Sequence, residues 1–236
     1  LYLFTPDIFT AIARTPKSPR GEYEITDSLQ LMIDQGGGVY CHKISYWLDL
    51  SYPWDLLRAN ESLLSGITAE NLGEVEENAV IKGVVSIGKG TVIRSGSYIV
   101  GPVIIGQDVD VGPNCYIRPF TAIGDGCHIG ASVEVKNSIV MKGSKIPHHN
   151  YVGDSIIGED CNFGAGTKIA NLRLDEKEVW VGNINTGRRK FGAIIGDNVK
   201  TGINVSINVG AVIGNNTHIG PGAVVSGIIS SDSKIL

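Results

Sequence analysis

VEENAVIKGVVSIGKGTVIRSGSYIVGPVIIGQDVDVGPNCYIRPFTAIGDGCHIGASVEV, residues 75–135, has valine or isoleucine at every sixth position. These positions are Val75, Ile81, Ile87, Ile93, Ile99, Ile105, Val111, Ile117, Ile123, Ile129 and Val135. The period matches neither the about 3.6-residue turn of a helix nor the two-residue alternation of a half-buried strand. It predicts a mainly β solenoid in which each hexad forms one short strand and one turn.

The repeat also predicts how the coils stack. Three hexads should close one triangular coil, so that residues one coil apart lie about 4.8 Å from each other, as in parallel strands. The first residue of each hexad is aliphatic and points inward, and the fifth is small and also points inward. Cys115, Cys127 and Cys161 occupy the fifth place, so we interpret them as buried core residues in a protein of the reducing cytoplasm.

The six-residue register slips twice by one residue, from Met141 to Ile146 and from Val152 to Ile157. A polar excursion, residues 173–193, then interrupts the repeat before it resumes. Interruptions of a solenoid map to one face and often carry function. We therefore expect the site near the first slip, the alternative being harmless surface loops.

Bulk composition narrows the class of protein. The chain has 236 residues, is 42% hydrophobic and 19% charged, and has a net charge of −4. The negative charge argues against a surface that follows nucleic-acid phosphates. No run of 18 apolar residues is present, which argues against a membrane span. The N-terminal LYLFTPDIF lacks the basic region and cleavage site of a signal peptide, so we do not interpret it as one.

Residues 1–65 differ from the repeat, and residues 66–74 form the linker to a β-helix at 75–236. Predicted strands at 1–5, 39–44 and 46–50 alternate with helices, one opened by Pro6 and one with Pro53 at its first position, which indicates an α/β segment. Asp49 lies in the apolar strand YWLDL. A buried carboxylate needs a partner such as Mg²⁺, whereas a carboxylate at a strand end in solvent needs none.

Arg118 and Lys136 are 18 positions apart, at the second place of their hexads. They should stack on one wall of the solenoid, where two cations repel each other. A shared anion such as a phosphate would relieve the repulsion. The alternative is that both side chains extend separately into solvent.

His148 lies in GSKIPHHNYVGD, next to the first slip. Counting through the slip places Tyr151 near Glu134 and His148 below Ala165. A histidine close to a carboxylate, a tyrosine and two cations is a candidate general base, with Glu134 orienting it. A structural histidine is the alternative. The histidines do not show the spacing of zinc ligands.

Asn162 and Asn171 flank the small residues 164–167, GAGT, where a ligand can approach the backbone. Ordinary corner residues are the alternative. Residues 188–190, RRK, form a basic cluster that either meets the phosphates of a cofactor or is a solvated charged segment.

Three stretches resemble the acetyltransferase half of the archaeal branch of GlmU-like bifunctional enzymes: IRPFTAIG (117–124), IGASVEVKNS (129–138) and PHHNYVGDSIIGEDCNFGAGTKIAN (147–171). That family joins a sugar-1-phosphate nucleotidylyltransferase to a hexapeptide-repeat acetyltransferase. The resemblance implies a left-handed parallel β-helix, a homotrimer and acetyl-CoA as the donor. It implies glucosamine-1-phosphate or galactosamine-1-phosphate as the acceptor.

The resemblance also implies roles for individual residues. His148 matches the catalytic base, and Arg118 and Lys136 match the cations that bind the phosphate. Three residues match positions that hold the amino sugar, namely Tyr151, Asn162 and Asn171.

Ala165 matches a backbone contact to acetyl-CoA, and Lys190 aligns with a lysine of the cofactor loop. Lys177 matches a substrate-binding lysine of the archaeal branch. A second such lysine is Trp180 here, and the tyrosine that follows the asparagine in bacterial members is Leu172. These departures leave the part played by this loop in acceptor choice open.

Residues 1–65 resemble the last third of the nucleotidylyltransferase domain, in which Asp49 would bind Mg²⁺. The nucleotide-binding glycine-rich loop, the first metal aspartate and the E-K-P lysine of that domain have no match here. We therefore expect nucleotidyl transfer, from a nucleoside triphosphate to UDP- or dTDP-sugars, only in the intact protein. The alternatives are a nucleotidylyltransferase whose β-helix is only a trimerisation or regulatory scaffold, and a metal-dependent solenoid hydratase.

Overall fold

A computed structural model describes residues 1–236, which divide into two compact units, Leu1–Trp47 and Leu48–Leu236. The first unit contains helices α1 (Asp7–Arg14) and α2 (Ile25–Asp34). Ile8 and Ala11 are its buried apolar side chains, and the hydroxyls of Thr15 and Ser28 lie 2.7 Å apart. As predicted, α1 begins directly after Pro6.

The predicted strands at 1–5, 39–44 and 46–50 do not form. A strand requires a neighbouring backbone with which to pair its N–H and C=O groups, and these segments find none in this chain. The second unit begins with helix α3 (Asp55–Leu64), two residues after Pro53 rather than at it. Helix α3 thus belongs to the same compact unit as the solenoid, and the solenoid strands begin at Glu70, within the segment read as linker.

The remainder of the chain is a β-solenoid of short strands. These are β1 (Glu70–Asn71), β2 (Glu74–Val75), β3 (Val80–Lys82), β4 (Val85–Ile87), β5 (Val92–Ile93), β6 (Tyr98–Val100), β7 (Val103–Ile105), β8 (Asp110–Val111), β9 (Tyr116–Ile117), β10 (Thr121–Ile123), β11 (His128–Ile129), β12 (Glu134–Lys136), β13 (Ile139–Val140), β14 (Lys145–Ile146), β15 (Tyr151–Gly153), β16 (Ile156–Ile157), β17 (Lys168–Ile169), β18 (Trp180–Val181), β19 (Ile184–Asn185), β20 (Ala193–Ile195), β21 (Lys200–Thr201), β22 (Ser206–Ile207), β23 (Ala211–Ile213), β24 (His218–Ile219), β25 (Val224–Val225), β26 (Ile228–Ile229) and β27 (Lys234–Ile235).

Three parallel walls are built from strands that recur about once per coil. The first wall runs β1-β4-β7-β10-β13-β16-β20-β23-β26, and the third runs β3-β6-β9-β12-β15-β17-β22-β25. The second wall joins β2-β5-β8-β11-β14 to β21-β24-β27 through Asn162, which bridges Lys145 and Lys200. This architecture confirms both the solenoid predicted from the six-residue repeat and the left-handed parallel β-helix that the resemblance implies.

The interior of the coils contains the residues that the repeat assigned to it. Ile93, Ile99 and Ile117 are fully buried, whereas the counterparts in the terminal coils, such as Val75 and Ile235, are partly buried. Cys115, Cys127 and Cys161 are each 1% exposed, at the predicted small inward place. Burial raises the pKa of each of these thiols to about 11.

The first register slip lies elsewhere than predicted. Val140, and not Met141, points into the coil and is 1% exposed, so the shortened segment runs from Val135 to Val140. The second slip, from Val152 to Ile157, is confirmed. Both shortened turns therefore lie at the corner between the third and first walls. The six-residue count did not separate Val140 from Met141 because both side chains are apolar.

A second hydrophobic cluster lies outside the coils, on the outer face of the first wall. Helix α3 and the excursion 173–193 cover this face, with Trp54 and Phe191 in edge-to-face contact at 6.2 Å between ring centroids. The buried members are Trp54, Leu57, Ile156, Val179, Val181 and Phe191. The excursion was read as polar, but it contains the antiparallel hairpin β18-β19 and contributes three of these side chains.

Candidate active site

Arg118 and Lys136 stack on the third wall, as their spacing predicts. The Arg118 N–H donates to the carbonyl of Val135 at 2.9 Å, which places the two cations in adjacent coils. Each cation has its own carboxylate, because Arg118 Nη1 lies 2.9 Å from Glu134 Oε1 and Lys136 Nζ lies 2.8 Å from Asp154 Oδ2. Repulsion between the cations is therefore already reduced within the chain. The bond to Glu134 raises the pKa of the Arg118 guanidinium.

Asp154 lies at the centre of this part of the wall, although the sequence did not single it out. Its side chain is 3% exposed. Besides Lys136, it accepts hydrogen bonds from the Nδ2 atoms of Asn137, at 2.9 Å, and of Asn171. A buried carboxylate is costly unless donors surround it, and three donors surround this one.

Tyr151 and Asn171 lie next to this carboxylate. Tyr151 pairs in register with Glu134, as predicted. Burial raises the pKa of the Tyr151 hydroxyl, as do the nearby carboxylates of Glu134 and Asp154, while a hydrogen bond with Asn171 acts in the opposite direction. A Cβ at Gly153 would lie 2.6 Å from Tyr151 Oη and 2.7 Å from Asn171 Nδ2, so only glycine leaves room for both polar groups.

His148 occupies the corner between the second and third walls. Its carbonyl accepts the Gly166 N–H at 3.0 Å, which places His148 beside Ala165, as predicted. The His148 side chain is exposed and makes no hydrogen bond within the chain. Glu134 is paired with Arg118 and makes no hydrogen bond to His148 within this chain.

Asn162 lies away from these residues. It is exposed on the second wall, between Lys145 and Lys200. The third wall and its corner bring together Arg118, Lys136, Tyr151 and Asn171. Asn162 of the same chain lies on another wall, away from these four residues. Ala165 is half-buried at the corner, and its backbone N–H donates no hydrogen bond.

The excursion contains the remaining predicted residues. Lys177 is exposed and borders an open cavity of about 510 Å³ beside Trp180, which is 49% exposed. Lys190 is exposed and forms an antiparallel bridge with Leu172.

The other two residues of the basic cluster have acidic partners within the chain, although the Arg189 side chain stays 56% exposed. Arg188 Nη2 lies 2.6 Å from Glu61 Oε1 of α3, and Arg189 pairs with Glu176.

Asp49 is exposed in an irregular segment rather than buried in a strand. Its Oδ2 accepts a hydrogen bond from the Ser51 hydroxyl at 2.7 Å, and Arg58 donates to its carbonyl at 3.1 Å. No group of three or more His, Cys, Asp or Glu side chains is placed to hold a metal ion. One carboxylate does not make a Mg²⁺ site, so the residues present do not complete one.

Glu61 and Asn137 were also missed by the sequence reading. Asn137 Nδ2 lies 3.0 Å from Glu61 Oε1, across 76 positions of sequence. Asn137 and Asp154 occupy the two shortened turns, both with positive φ (44° and 50°). The slip from Val152 to Ile157 was the available signal for Asp154, whereas the misplaced first slip did not point to Asn137. None of the helices has the length and apolar character needed to cross a membrane.

A left-handed β-helix of six-residue repeats, with cations and amides along one wall, defines the class of hexapeptide-repeat proteins. Residues 99–209 match the family model described as GMPPB C-terminal domain, and residues 1–66 match the model described as Nucleotidyl transferase. The chain is homologous over its full length to the archaeal GlmU-like bifunctional proteins, as its motifs indicated.

Two curated relatives illustrate this. The bifunctional sugar-1-phosphate nucleotidylyltransferase/acetyltransferase of Sulfurisphaera tokodaii is 50% identical over 96% of this chain, and the bifunctional protein GlmU of Methanocaldococcus jannaschii is 46% identical over 100% of it. The chain spans 58% of the length of each. Among solved structures, UDP-N-acetylglucosamine acyltransferase from Campylobacter jejuni is similar at a TM-score of 0.37 and 11% identity, over 69% of this chain and 68% of that one.

Proposed function

We propose that the β-helix transfers the acetyl group of acetyl-CoA to the 2-amino group of an amino-sugar-1-phosphate, glucosamine-1-phosphate or galactosamine-1-phosphate. The names of the archaeal relatives support acetyl transfer. The observation that carries the proposal is the cluster on the third wall, where Arg118 and Lys136 stack beside the Tyr151–Asn171 pair.

The two cations supply the phosphate site. A guanidinium has five N–H donors and an ammonium has three. Arg118 directs one of its donors to Glu134, and Lys136 directs one to Asp154, so both retain donors for the acceptor phosphate. Their carboxylate partners hold them in place before the substrate arrives, which lowers the entropic cost of binding.

Tyr151 and Asn171 are placed to bind the sugar ring and set its orientation, with Gly153 leaving the space between them. His148 then accepts the proton of the attacking amine. A C–N bond forms at the thioester carbonyl and the C–S bond breaks. The CoA thiolate takes up a proton, giving free CoA and an N-acetylated sugar phosphate. The unpaired N–H of Ala165 is available to the acyl donor or its oxyanion.

The assembly we propose is a homotrimer with the site between subunits. A flat solenoid wall offers little concavity by itself, and ligand sites are concave. A neighbouring subunit would supply the missing side and would explain the position of Asn162 on another wall. Lys177 and Lys190 of the excursion would contact acceptor and donor, respectively.

For the whole protein we propose nucleotidyl transfer from a nucleoside triphosphate to a sugar-1-phosphate, with Mg²⁺ bound in part by Asp49. The match of residues 1–66 to the Nucleotidyl transferase model supports this. A cytoplasmic location is proposed from the four free cysteines, which suit a reducing compartment.

An acetyl-CoA assay tests the proposal. The chain is incubated with a panel of amino-sugar-1-phosphates, and release of the CoA thiol is followed. We expect turnover with at least one hexosamine-1-phosphate, and a loss of about 10²-fold or more in His148→Ala, the scale of a missing general base. His149→Ala is the matched control, because this neighbouring histidine is also exposed.

Near-normal turnover in His148→Ala would contradict the role of His148. A trimer with no acetyl transfer to any member of the panel would favour the scaffold alternative. Metal-dependent hydration activity with bound metal would favour the hydratase.

A further inference from the structure

Asp154 has no step of its own in the proposed reaction, yet it is the most enclosed carboxylate of the site, with 3% of its side chain exposed. Burying a carboxylate is unfavourable unless donors satisfy it, and replacing a buried ion pair by apolar residues is often neutral or stabilising. The site therefore retains a carboxylate whose burial is energetically unfavourable. Its donors indicate what that group does.

The two oxygens of Asp154 have different partners. Oδ2 accepts from both Lys136 Nζ, at 2.8 Å, and Asn171 Nδ2. Lys136 and Asn171 belong to different coils, so one oxygen atom fixes an ammonium and an amide relative to each other. The Asn171 amide in turn lies beside the Tyr151 hydroxyl, because a Cβ at Gly153 would lie 2.7 Å from Asn171 Nδ2 and 2.6 Å from Tyr151 Oη. The carboxylate thereby connects the phosphate-binding cation to the groups that face the sugar.

Oδ1 is held from the other side. Asn137 Nδ2 donates to Asp154 Oδ1 at 2.9 Å and to Glu61 Oε1 at 3.0 Å, and Glu61 also accepts from Arg188 at 2.6 Å. These bonds are possible because both turns at this corner are one residue short, which brings Asn137 and Asp154 together. Helix α3 and the excursion thus support the carboxylate through Asn137.

We infer that Asp154 is a positioning residue, which fixes the Lys136 ammonium and the Asn171 amide at the separation that the amino-sugar-1-phosphate requires. The inference rests on the proposed acetyl transfer. Asp154 acts through Lys136 and Asn171 and does not touch the reacting atoms. Its removal should weaken acceptor binding and leave binding of acetyl-CoA unchanged.

Asp154→Asn is the first test, with acceptor and donor kinetics measured separately. Asparagine keeps the shape, removes the charge that faces Lys136 and replaces one acceptor oxygen by an NH2 donor. We expect the KM for glucosamine-1-phosphate to rise about tenfold or more, with the KM for acetyl-CoA unchanged. Asp160→Asn is the matched control, because Asp160 is an exposed aspartate with a similar positive φ of 53° in the same coil. If Asp154 had only a structural role, the substitution would lower the fraction of active enzyme. A lower kcat at an unchanged acceptor KM would therefore overturn the inference.

A double-mutant cycle with Lys136→Met separates a positioning role from independent effects. Because Asp154 acts in part through Lys136 and in part through Asn171, adding Asp154→Asn to Lys136→Met should raise the acceptor KM by clearly less than the tenfold expected in the wild-type background. Full multiplication of the two effects would overturn the inference.

If Asp154→Asn fails to fold, Asn137→Ala replaces it, and a smaller rise in acceptor KM is expected because one donor to Asp154 is lost. An unchanged acceptor KM in Asn137→Ala would then count against the inference.

Calorimetric titration with glucosamine-1-phosphate distinguishes the two levels of the proposal. If the wild-type chain binds this ligand without acetylating it, the proposed function fails, and the Asp154 inference is judged by whether Asp154→Asn raises the Kd about tenfold. If the wild-type chain neither binds nor acetylates it, both fail.

Discussion

Leu57→Ala tests whether helix α3 is held on the first wall by burial of apolar side chains. Leu57 is 0% exposed in the second hydrophobic cluster, with Trp54, and the buried Leu64 follows on the same face of the helix. Truncating a buried leucine costs about 2–5 kcal/mol, from lost transfer free energy and the cavity left behind. A cost of about 3 kcal/mol in a chain of this size corresponds to a Tm lower by about 6–12 °C.

Thermal unfolding followed by circular dichroism and by tryptophan fluorescence measures this effect, because Trp54 lies in the same cluster. Leu63→Ala is the control. It makes the same chemical change on the same helix, but Leu63 is 75% exposed, so its Tm should fall by less than about 3 °C. Equal shifts in the two variants would refute the argument. Since Glu61 lies on the buried face one turn after Leu57, Leu57→Ala should also raise the acceptor KM.

The other predictions concern the core thiols, the register and the phosphate site. A thiol reagent at pH 8 should modify the exposed Cys41 rapidly, and the other three cysteines only after unfolding, because burial raises their pKa to about 11 and lowers their thiolate fraction about a hundredfold. The free energy of unfolding, from urea titrations, should decline from pH 9 to about 11, since the unfolded state ionises these thiols first and their folded pKa is the higher one. A curve that rises over this range would contradict the burial. Val140→Asp should abolish folding while Met141→Asp should give a folded chain of lower Tm, because only Val140 points into the coil. If instead Met141→Asp prevents folding and Val140→Asp does not, the register predicted from the sequence is the correct one. Lys136→Ala should mainly raise the acceptor KM, and an unchanged KM would remove this lysine from the phosphate site.

Part of the site was readable from the sequence because it depends on spacing alone. Residues one coil apart stack, so the positions of Arg118 over Lys136, of Tyr151 over Glu134 and of His148 beside Ala165 all follow from counting. Counting does not state which acid pairs with which base. Glu134 was expected beside His148 and instead pairs with Arg118 at 2.9 Å.

The sequence by itself determined the solenoid, its three walls and the inward-facing residues, because each strand and turn is set within six residues and then repeated. Only the tertiary structure decided that Val140 rather than Met141 is buried, since both are apolar and the choice depends on closing the coil. It also decided where α3 packs and that Asp154 collects three donors. These contacts join residues up to 127 positions apart, as in Arg188 and Glu61, and no local period carries such information.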